Sequence, residues 1–425
     1  MTLKSLGQDL LNRVDPRLIA MTERAMKSIP FVRERLEKEY GSMLGGLEHS
    51  MRPYAGQVAS YSKLPEQGRA REDLLAEIEG LAAKETPRWR DGFLSGAVYN
   101  GDAGHVEFMN RVYAATSQVN PLHSDVWPSA SKYEAEIVSM VAGMLGAPPH
   151  NASASRDEQI CGAVTSGGTE SILLAMKAYR DRARTERGIR RPEMVVPSTA
   201  HAAFDKASQY FGIKMKRVPV GPDFVADVKK MKAAVTKNTV VIVASAPCFP
   251  YGLVDSVTEL AAFAKKRGLG CHVDACLGGF VLPWARRLGA PVQAFDFSVP
   301  GVTSMSADTH KYGYAAKGTS VVLYRGHELR SHQYYTVTDW PGGLYFSPTL
   351  AGSRPGALSA AAWAAMVSMG ESGYLDATKR ILATTEQMKA GVRGIPELEL
   401  IGESVFMVAF RATGLEAMLR GFGVA

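Results

Sequence analysis

Apolar positions recur along the chain with two different periods, and the change between them sets its organisation. From residue 1 to about 95, short amphipathic stretches are broken by Pro16, Pro30, Pro53, Pro65 and Pro87. Within them Leu74, Leu75, Ile78 and Leu81 fall at helical spacing, so that helix carries a face to pack on something. Residues 1–95 therefore read as an N-terminal helical arm, lying on a larger body or on a partner subunit. From about residue 96 the pattern becomes α/β. Tyr133 to Leu145 reads as a helix with Ile137, Val138, Val141 and Leu145 on its apolar side, and Gly167-Gly168 opens another, Thr169 to Arg184. β-Prone runs then alternate with helical ones: Met194 to Val196 before Ala202 to Phe211, and Lys216 to Val220 before Val225 to Val235. Val240 to Ala244 precedes a helix from Val257 to Arg267, and Gly270 to Asp274, Ser304 to Ala307 and Thr319 to Tyr324 are further strands. Such alternation predicts an α/β fold with a largely parallel sheet covered on both faces. Ligands in such folds gather at the carboxyl ends of the strands. After about residue 355, helical segments lead to Leu398 to Ile401 and Phe406 to Phe410, the start of a small α+β unit. The expected division is 1–95, 96–354 and 355–425.

Composition narrows the class. The chain has 425 residues, 46% of them hydrophobic and 21% charged, as in an ordinary globular protein. Its net charge of +7 is modest and spread out, and the run Arg180 to Arg191 reads as the solvated end of a helix. Nucleic-acid binding is not expected, and a mild preference for an anionic small substrate is. Cys161, Cys248, Cys271 and Cys276 lack the spacing of a metal site or a disulfide framework, which predicts buried free thiols in a reducing compartment. No run of about 18 apolar residues is present, and Met1 to Asp15 lacks the regions of a signal peptide. The expected location is cytoplasmic, with no membrane span and no metal.

The chemistry is concentrated in a few segments. Lys311 lies in Ser306-Ala307-Asp308-Thr309-His310-Lys311-Tyr312-Gly313, between two β-prone runs and beside a histidine and a carboxylate. A lysine so placed suits a Schiff-base nucleophile, since burial and a cationic neighbour would lower its pKa and leave a reactive amine. Ser166-Gly167-Gly168-Thr169 stands directly before a helix, whose free N–H groups, with the two hydroxyls, can cradle an anion. Plain helix capping is the simpler account of that segment alone. Asp274 closes a β-run, sharing a strand face with His272 and Cys276, and needs a cationic or hydrogen-bonding partner there. A protonated pyridine nitrogen would serve, and so would a structural salt bridge. His201, between a strand and a helix, could stack on a flat ring or bond the backbone. Asn120-Pro121-Leu122-His123 and the segment upstream that holds Tyr99 carry groups able to bind oxygens, although ordinary loop chemistry explains both. Tyr345, Ser353 and Arg354 sit in a Gly/Pro-rich segment that reads as a linker or as a place for an anion. Taken together and in order, these segments supply a phosphate cup, a ring-stacking histidine, a pyridine-pairing aspartate and a Schiff-base lysine. Those are the requirements of pyridoxal 5′-phosphate.

On these residues the chain resembles the fold-type I pyridoxal-phosphate enzymes of the group II decarboxylase superfamily. Within it the chain is similar to the sphingosine-1-phosphate lyase family. The similarity runs from about Tyr99 to Phe410. It rests on the Lys311 run with Lys317-Gly318 beyond, on Ala351-Gly352-Ser353-Arg354-Pro355-Gly356, on Asn120-Pro121-Leu122-His123, and on His272 to Phe280. The resemblance implies a mostly parallel seven-stranded sheet with an N-terminal arm and a small C-terminal domain. It gives Lys311 the Schiff base, Asp274 the ring nitrogen and His201 the ring face, with Ser166, Gly168, Thr169 and His310 around the cofactor phosphate. It puts Tyr99, Asn120, His123, Lys317, Tyr345 and Ser353 around a substrate phosphate, the last two from the second subunit of a homodimer with shared active sites. The implied reaction splits the C2–C3 bond of a phosphorylated sphingoid base by retro-aldol chemistry to a fatty aldehyde and phosphoethanolamine. Lys311, Tyr99 and His123 are all candidates for the base at the C3 hydroxyl. A pyridoxal-phosphate-dependent decarboxylase of glutamate or an aromatic amino acid is the second reading, and a non-catalytic relative the third. Eukaryotic members carry an N-terminal membrane anchor that is not seen here, so a soluble prokaryotic form is expected. The family's C-terminal domain runs longer than the residues after Phe410, so that domain is expected to be incomplete.

Overall fold

The structure, a computed structural model, describes residues 52–91, 96–149 and 155–412; most of the N-terminal arm expected from the sequence lies outside them. The chain divides into two compact units, Met1–Phe93 and Leu94–Ala425. In the first, helix α1 (Arg71–Arg90) has Glu72 and Asp73 in its first turn and Arg88 and Arg90 in its last, both matched to the helix dipole. Its expected apolar face is present, but no residue of α1 is buried, and Leu74, Leu75 and Ile78 are exposed.

The second unit opens with α2 (Ala103–Ala115), a short 3-10 turn at Pro121–His123 and α3 (Pro128–Met144). There follow β1 (Ile160–Thr165), α4 (Gly168–Arg187), β2 (Glu193–Pro197), α5 (Ala203–Phe211), β3 (Lys214–Val218) and α6 (Val228–Ala234). Next come β4 (Thr239–Ser245), α7 (Val257–Lys266), β5 (Gly270–Asp274), α8 (Leu282–Arg287), β6 (Ser304–Ala307) and β7 (Ser320–Arg325). The strands form one seven-stranded sheet in the order β1-β7-β6-β5-β4-β2-β3. Only β7 runs against its neighbours; β6, β5, β4, β2 and β3 pair in parallel. The reversal has a simple cause. A parallel neighbour needs a long crossover, and the stretch between β6 and β7 is a turn with no helix.

Side chains alternate across this sheet. Ile242 and Ala244 of β4 point into one apolar layer with Ile137, Val141 and Leu260, from α3 and α7. Val241 and Val243 point into the other, with Leu173, Met176 and Phe204 of α4 and α5. Both faces are thus covered, as the near-continuous apolar strands require. Two element boundaries shift from the sequence reading for local reasons. β3 begins at Lys214 because Lys214 pairs with Glu193 of β2. α6 begins only at Val228 because the Asp227 carboxylate caps it, accepting the Lys230 N–H at 3.0 Å.

Beyond β7 the chain forms α9 (His327–Ser331) and a hairpin of β8 (Tyr335–Val337) and β9 (Tyr345–Ser347). A long helix α10 (Gly356–Arg393) follows, bent at Gly370, whose φ is +57°. It packs on α2 and α3. A two-stranded sheet of β10 (Leu398–Leu400) and β11 (Phe410–Ala412) ends the described chain. The strand expected over Phe406 to Phe410 therefore starts only at Phe410, because Phe406 is buried in the main core instead. All four cysteines are buried free thiols. Among the described residues no helix is long and apolar enough to cross a membrane.

Candidate active site

Strands β5 and β6 end side by side, with Asp274 opposite Ser306, and the next residues of β6 turn into Asp308-Thr309-His310-Lys311. This turn is pinned to the start of β7. Thr309 Oγ1 donates to Thr319 Oγ1 at 2.7 Å. His310 Nδ1 lies 2.6 Å from the Thr319 carbonyl oxygen, which can only accept, so that nitrogen carries the proton. Lys311 Nζ stands 2.8 Å from Asp308 Oδ2, and the Asp308 side chain is 2% exposed. The other oxygen, Oδ1, is buried without a hydrogen bond.

This pair corrects one expectation. Desolvation does pull the Lys311 ammonium down, but the Asp308 carboxylate, with Asp274 behind it, outweighs that and holds its pKa above the ordinary lysine value. The charge at contact distance is an anion, and in this state the amine is protonated. Tyr99 lies close enough to feel both Lys311 and Asp308; burial raises its phenol pKa, with the lysine opposing. Its ring meets that of Tyr312 edge-on at 5.1 Å.

Asp274 is 8% exposed. Its Oδ1 accepts from the Cys276 N–H at 3.1 Å and the Ser306 hydroxyl at 3.3 Å. Among the described residues no ion pair reaches it. Beneath it runs a buried polar chain. Tyr179 Oη is 2.6 Å from Ser304 Oγ, which is 2.7 Å from His272 Nδ1, and Ser306 Oγ is 3.4 Å from His272 Nε2. Burial, opposed by Asp274, lowers the His272 pKa to about 4, so this imidazole is neutral.

The segment expected to form a phosphate cup abuts this cluster. Gly168 is the first residue of α4, and a Cβ there would stand 2.7 Å from both Asp308 Oδ1 and Cys276 Sγ. Only glycine lets the helix N-terminus come so near. Ser166 is exposed and Thr169 half-buried at the same helix start. His201 is exposed, and its Nδ1 accepts the Ala203 N–H at 3.1 Å, the backbone contact weighed for it from the sequence.

Two cavities open beside Tyr99. One, of about 180 Å³, is lined by Tyr99, His310 and Lys317, among others. The other, of about 990 Å³, has Leu277, Tyr312, Met369, Ile381 and Phe406 in its wall together with Tyr99. The remaining candidates form a separate group. Asn120 Nδ2 donates to Ser353 Oγ at 3.1 Å, and the Tyr345 hydroxyl oxygen lies 3.0 Å from the Cβ position of Gly352. Arg354 is bound by Glu134, with an Arg354 Nη2 to Glu134 Oε2 distance of 2.7 Å, so it is not free to take an anion. His123 is exposed on the 3-10 turn after Asn120. Among the described residues, no side-chain hydrogen bond, ion pair or ring contact joins this group to the Lys311 cluster. Sequence reading missed Asp308 as the partner of Lys311, and Cys276 as a group that stands against Gly168. For Asp308 a signal existed, since it stands three residues before Lys311.

The comparisons with known proteins decide the family. Residues 62–413 match the model of the pyridoxal-dependent decarboxylase conserved domain. The sphingosine-1-phosphate lyase of Oryza sativa subsp. japonica is 45% identical over 94% of this chain and 73% of its own length. The chain belongs to the pyridoxal-dependent decarboxylases, in the sphingosine-1-phosphate lyase family. The Arabidopsis thaliana sphingosine-1-phosphate lyase is 50% identical over 80% of this chain and 63% of its own. A solved structure of the Burkholderia pseudomallei sphingosine-1-phosphate lyase superposes with a TM-score of 0.82 at 45% identity, covering 85% of this chain and 82% of that one. A Lactobacillus brevis glutamate decarboxylase, at 21% identity and a TM-score of 0.68, shares the fold. The chain spans 73% and 63% of the length of these two plant relatives.

The family's cofactor is pyridoxal 5′-phosphate, and the residues present fit it. A buried carboxylate without a cation, Asp274, awaits a positive nitrogen; an amine, Lys311, lies within its field; and a helix start is stripped of side chain at Gly168.

The buried His272 has a consequence for stability. An unfolded imidazole takes up a proton below its ordinary value near 6.5, whereas the folded one resists until about 4. The unfolded state therefore binds more protons in that window, and stability falls as pH drops through it, by about 3 kcal/mol for this group at its lower end. Urea titrations at pH 7 and pH 4.5 should show this loss in the wild type, and a smaller one in His272→Gln.

Proposed function

We propose that this chain cleaves the C2–C3 bond of sphingoid base 1-phosphates to a fatty aldehyde and phosphoethanolamine. The observation that carries the reading is the pair of cavities sharing Tyr99. The small one is lined by Lys317 and His310, and the large one carries an apolar stretch of Leu277, Tyr312, Met369, Ile381 and Phe406 beside polar groups such as Asp102 and Arg380. An amphiphile with an anionic head and a long hydrocarbon tail matches that division, and an amino acid does not use it.

When bound, pyridoxal 5′-phosphate supplies the electron sink for the pair released as the carbon–carbon bond breaks. In this reading Lys311 holds its aldehyde carbon, Asp274 its ring nitrogen, His201 its ring face, and Ser166, Gly168, Thr169 and His310 its phosphate. The Cys276 N–H and the Ser306 hydroxyl both donate to Asp274 Oδ1 and fix the carboxylate in place. Lys317, Tyr99, Asn120, His123, Tyr345 and Ser353 gather the substrate phosphate, which fixes the scissile bond in place. Tyr99, Lys311 and His123 are the candidates for the base at the C3 hydroxyl; burial raises the Tyr99 phenol pKa and Asp308 holds up that of Lys311, so each of these two must give up its proton before it can act.

We further propose a cytoplasmic homodimer in which Tyr345 and Ser353 reach the partner's site. The hairpin segment that carries them exposes Tyr335, Trp340, Leu344, Phe346 and Leu350, an apolar run suited to burial against a second copy.

Two variants test the site. Lys311→Arg keeps a cation beside Asp308 but cannot form the Schiff base, so the purified protein should lose the cofactor's visible absorbance and turnover. Retained turnover would refute the assignment. Lys317→Ala should raise KM for phosphorylated substrate by about tenfold or more, as the loss of one charge-assisted contact implies, and leave kcat within a few-fold. An unchanged KM would remove Lys317 from the phosphate site.

A further inference from the structure

Glu170 has no role in the chemistry described above, yet it is a carboxylate only 7% exposed and no ion pair reaches it among the described residues. Both of its oxygens are used by backbone. Oε2 accepts the Ser166 N–H at 2.6 Å, and Oε1 accepts the Leu350 N–H at 2.8 Å. Standing third in α4, it occupies the place from which a capping glutamate reaches back over its own helix start. Here the second oxygen is committed to a segment 180 residues away. That segment joins Tyr345 to Ser353.

The same helix also holds the chain just before the hairpin that leads into this strap. Lys177 Nζ donates to the carbonyl oxygens of His332 at 2.9 Å and Tyr334 at 3.3 Å. Internal bonds brace the strap: Ser347 Oγ donates to the Thr349 carbonyl at 2.9 Å, and Thr349 Oγ1 to that of Ala351 at 2.8 Å. Leu350 exposes its side chain, so the backbone bond to Glu170 fixes its position in place of apolar packing. A carboxylate meets both demands with its two acceptor oxygens, whereas an amide offers one and replaces the other with a donor.

We propose that Glu170 is a positioning residue that couples loading of the cofactor cup to the order of the strap 345–353. The inference rests on the reading of Gly168 and its neighbours as the cofactor's phosphate site. An anion held by the loop from Ser166 to Thr169 restrains the Ser166 N–H. The carboxylate restrained by it then holds Leu350, and with it the segment bearing Tyr345 and Ser353. Order gained at one end is not lost again at the other, which is the thermodynamic form such coupling takes. In the proposed dimer, the cup of one subunit would thereby help set the substrate site of its partner.

Hydrogen exchange of the full-length protein, with and without pyridoxal 5′-phosphate, tests the coupling. Loading is expected to slow exchange at the Leu350 amide by about tenfold in the wild type, the equivalent of one charge-assisted hydrogen bond. In Glu170→Gln the cofactor should still bind, read by its absorbance, while loading changes strap exchange by less than about twofold. Leu350→Pro removes the same bond from the other end without touching the cup, and should uncouple amides 351–353 in the same way. It replaces Glu170→Gln if strands β4 and β5 lose protection in that variant. Strap protection that rises equally in the variants, or fails to rise in the loaded wild type, overturns the proposal alone. A wild-type chain that does not take up pyridoxal 5′-phosphate overturns the reading of the cup as well.

Discussion

A carboxylate taken out of water must meet a cation or enough donors, and Asp308, Glu170 and Asp274 are among those buried near the carboxyl edge of this sheet. Asp308 is neutralised by Lys311 at 2.8 Å. Glu170 is satisfied by two backbone N–H groups. Asp274 receives one backbone N–H and one hydroxyl, both on Oδ1. Its second oxygen has no hydrogen bond or ion pair among the described residues, so a cationic group of a ligand can complete it at that oxygen.

The fold makes this concentration of charge possible. β5 and β6 run parallel and end in register, which sets Asp274 and Ser306 side by side and launches the Lys311 turn from the next strand. β1 ends on the same edge and delivers the glycine cup, where the absence of a Cβ on Gly168 lets the helix start approach Asp308 and Cys276. The reversal of β7 closes the turn and gives Thr309 and His310 their anchor at Thr319. In the proposed site the Lys311 ammonium, held by Asp308, would be the resting state of the amine that meets the cofactor aldehyde.

Much of this was legible in the sequence because it is local. The strand–helix alternation from Met194 to Asp274 carries its own period, and Gly270 to Asp274 came out with both ends in place. The helix start at Gly168 and the lysine turn are contiguous segments, so their residue types announce them. What depends on pairing at a distance was not legible. β1, an apolar run with glycine and alanine, has no period to separate it from a buried helix, and only its pairing with β7 defines it. The sign of the Lys311 shift turned on whether Asp308 or a cation stood nearest, which three residues of spacing do not decide. Asn120 and Ser353 are 233 residues apart and meet only because the chain after β9 returns beside the 3-10 turn. Glu170 stands in the first turn of α4 as many acids do, and only the fold brings Leu350 to its second oxygen.

In the proposed function an amine, a buried aspartate that no ion pair reaches among the described residues and a glycine-lined helix start serve a cleavage between carbons 2 and 3 of a phosphorylated lipid. The most direct measurement is to incubate the pyridoxal-phosphate-loaded protein with dihydrosphingosine 1-phosphate and identify the products. The account predicts phosphoethanolamine and a long-chain aldehyde in equal amounts, and no carbon dioxide from glutamate or aromatic amino acids. Release of carbon dioxide from an amino acid, with the phosphorylated lipid left intact, would contradict it.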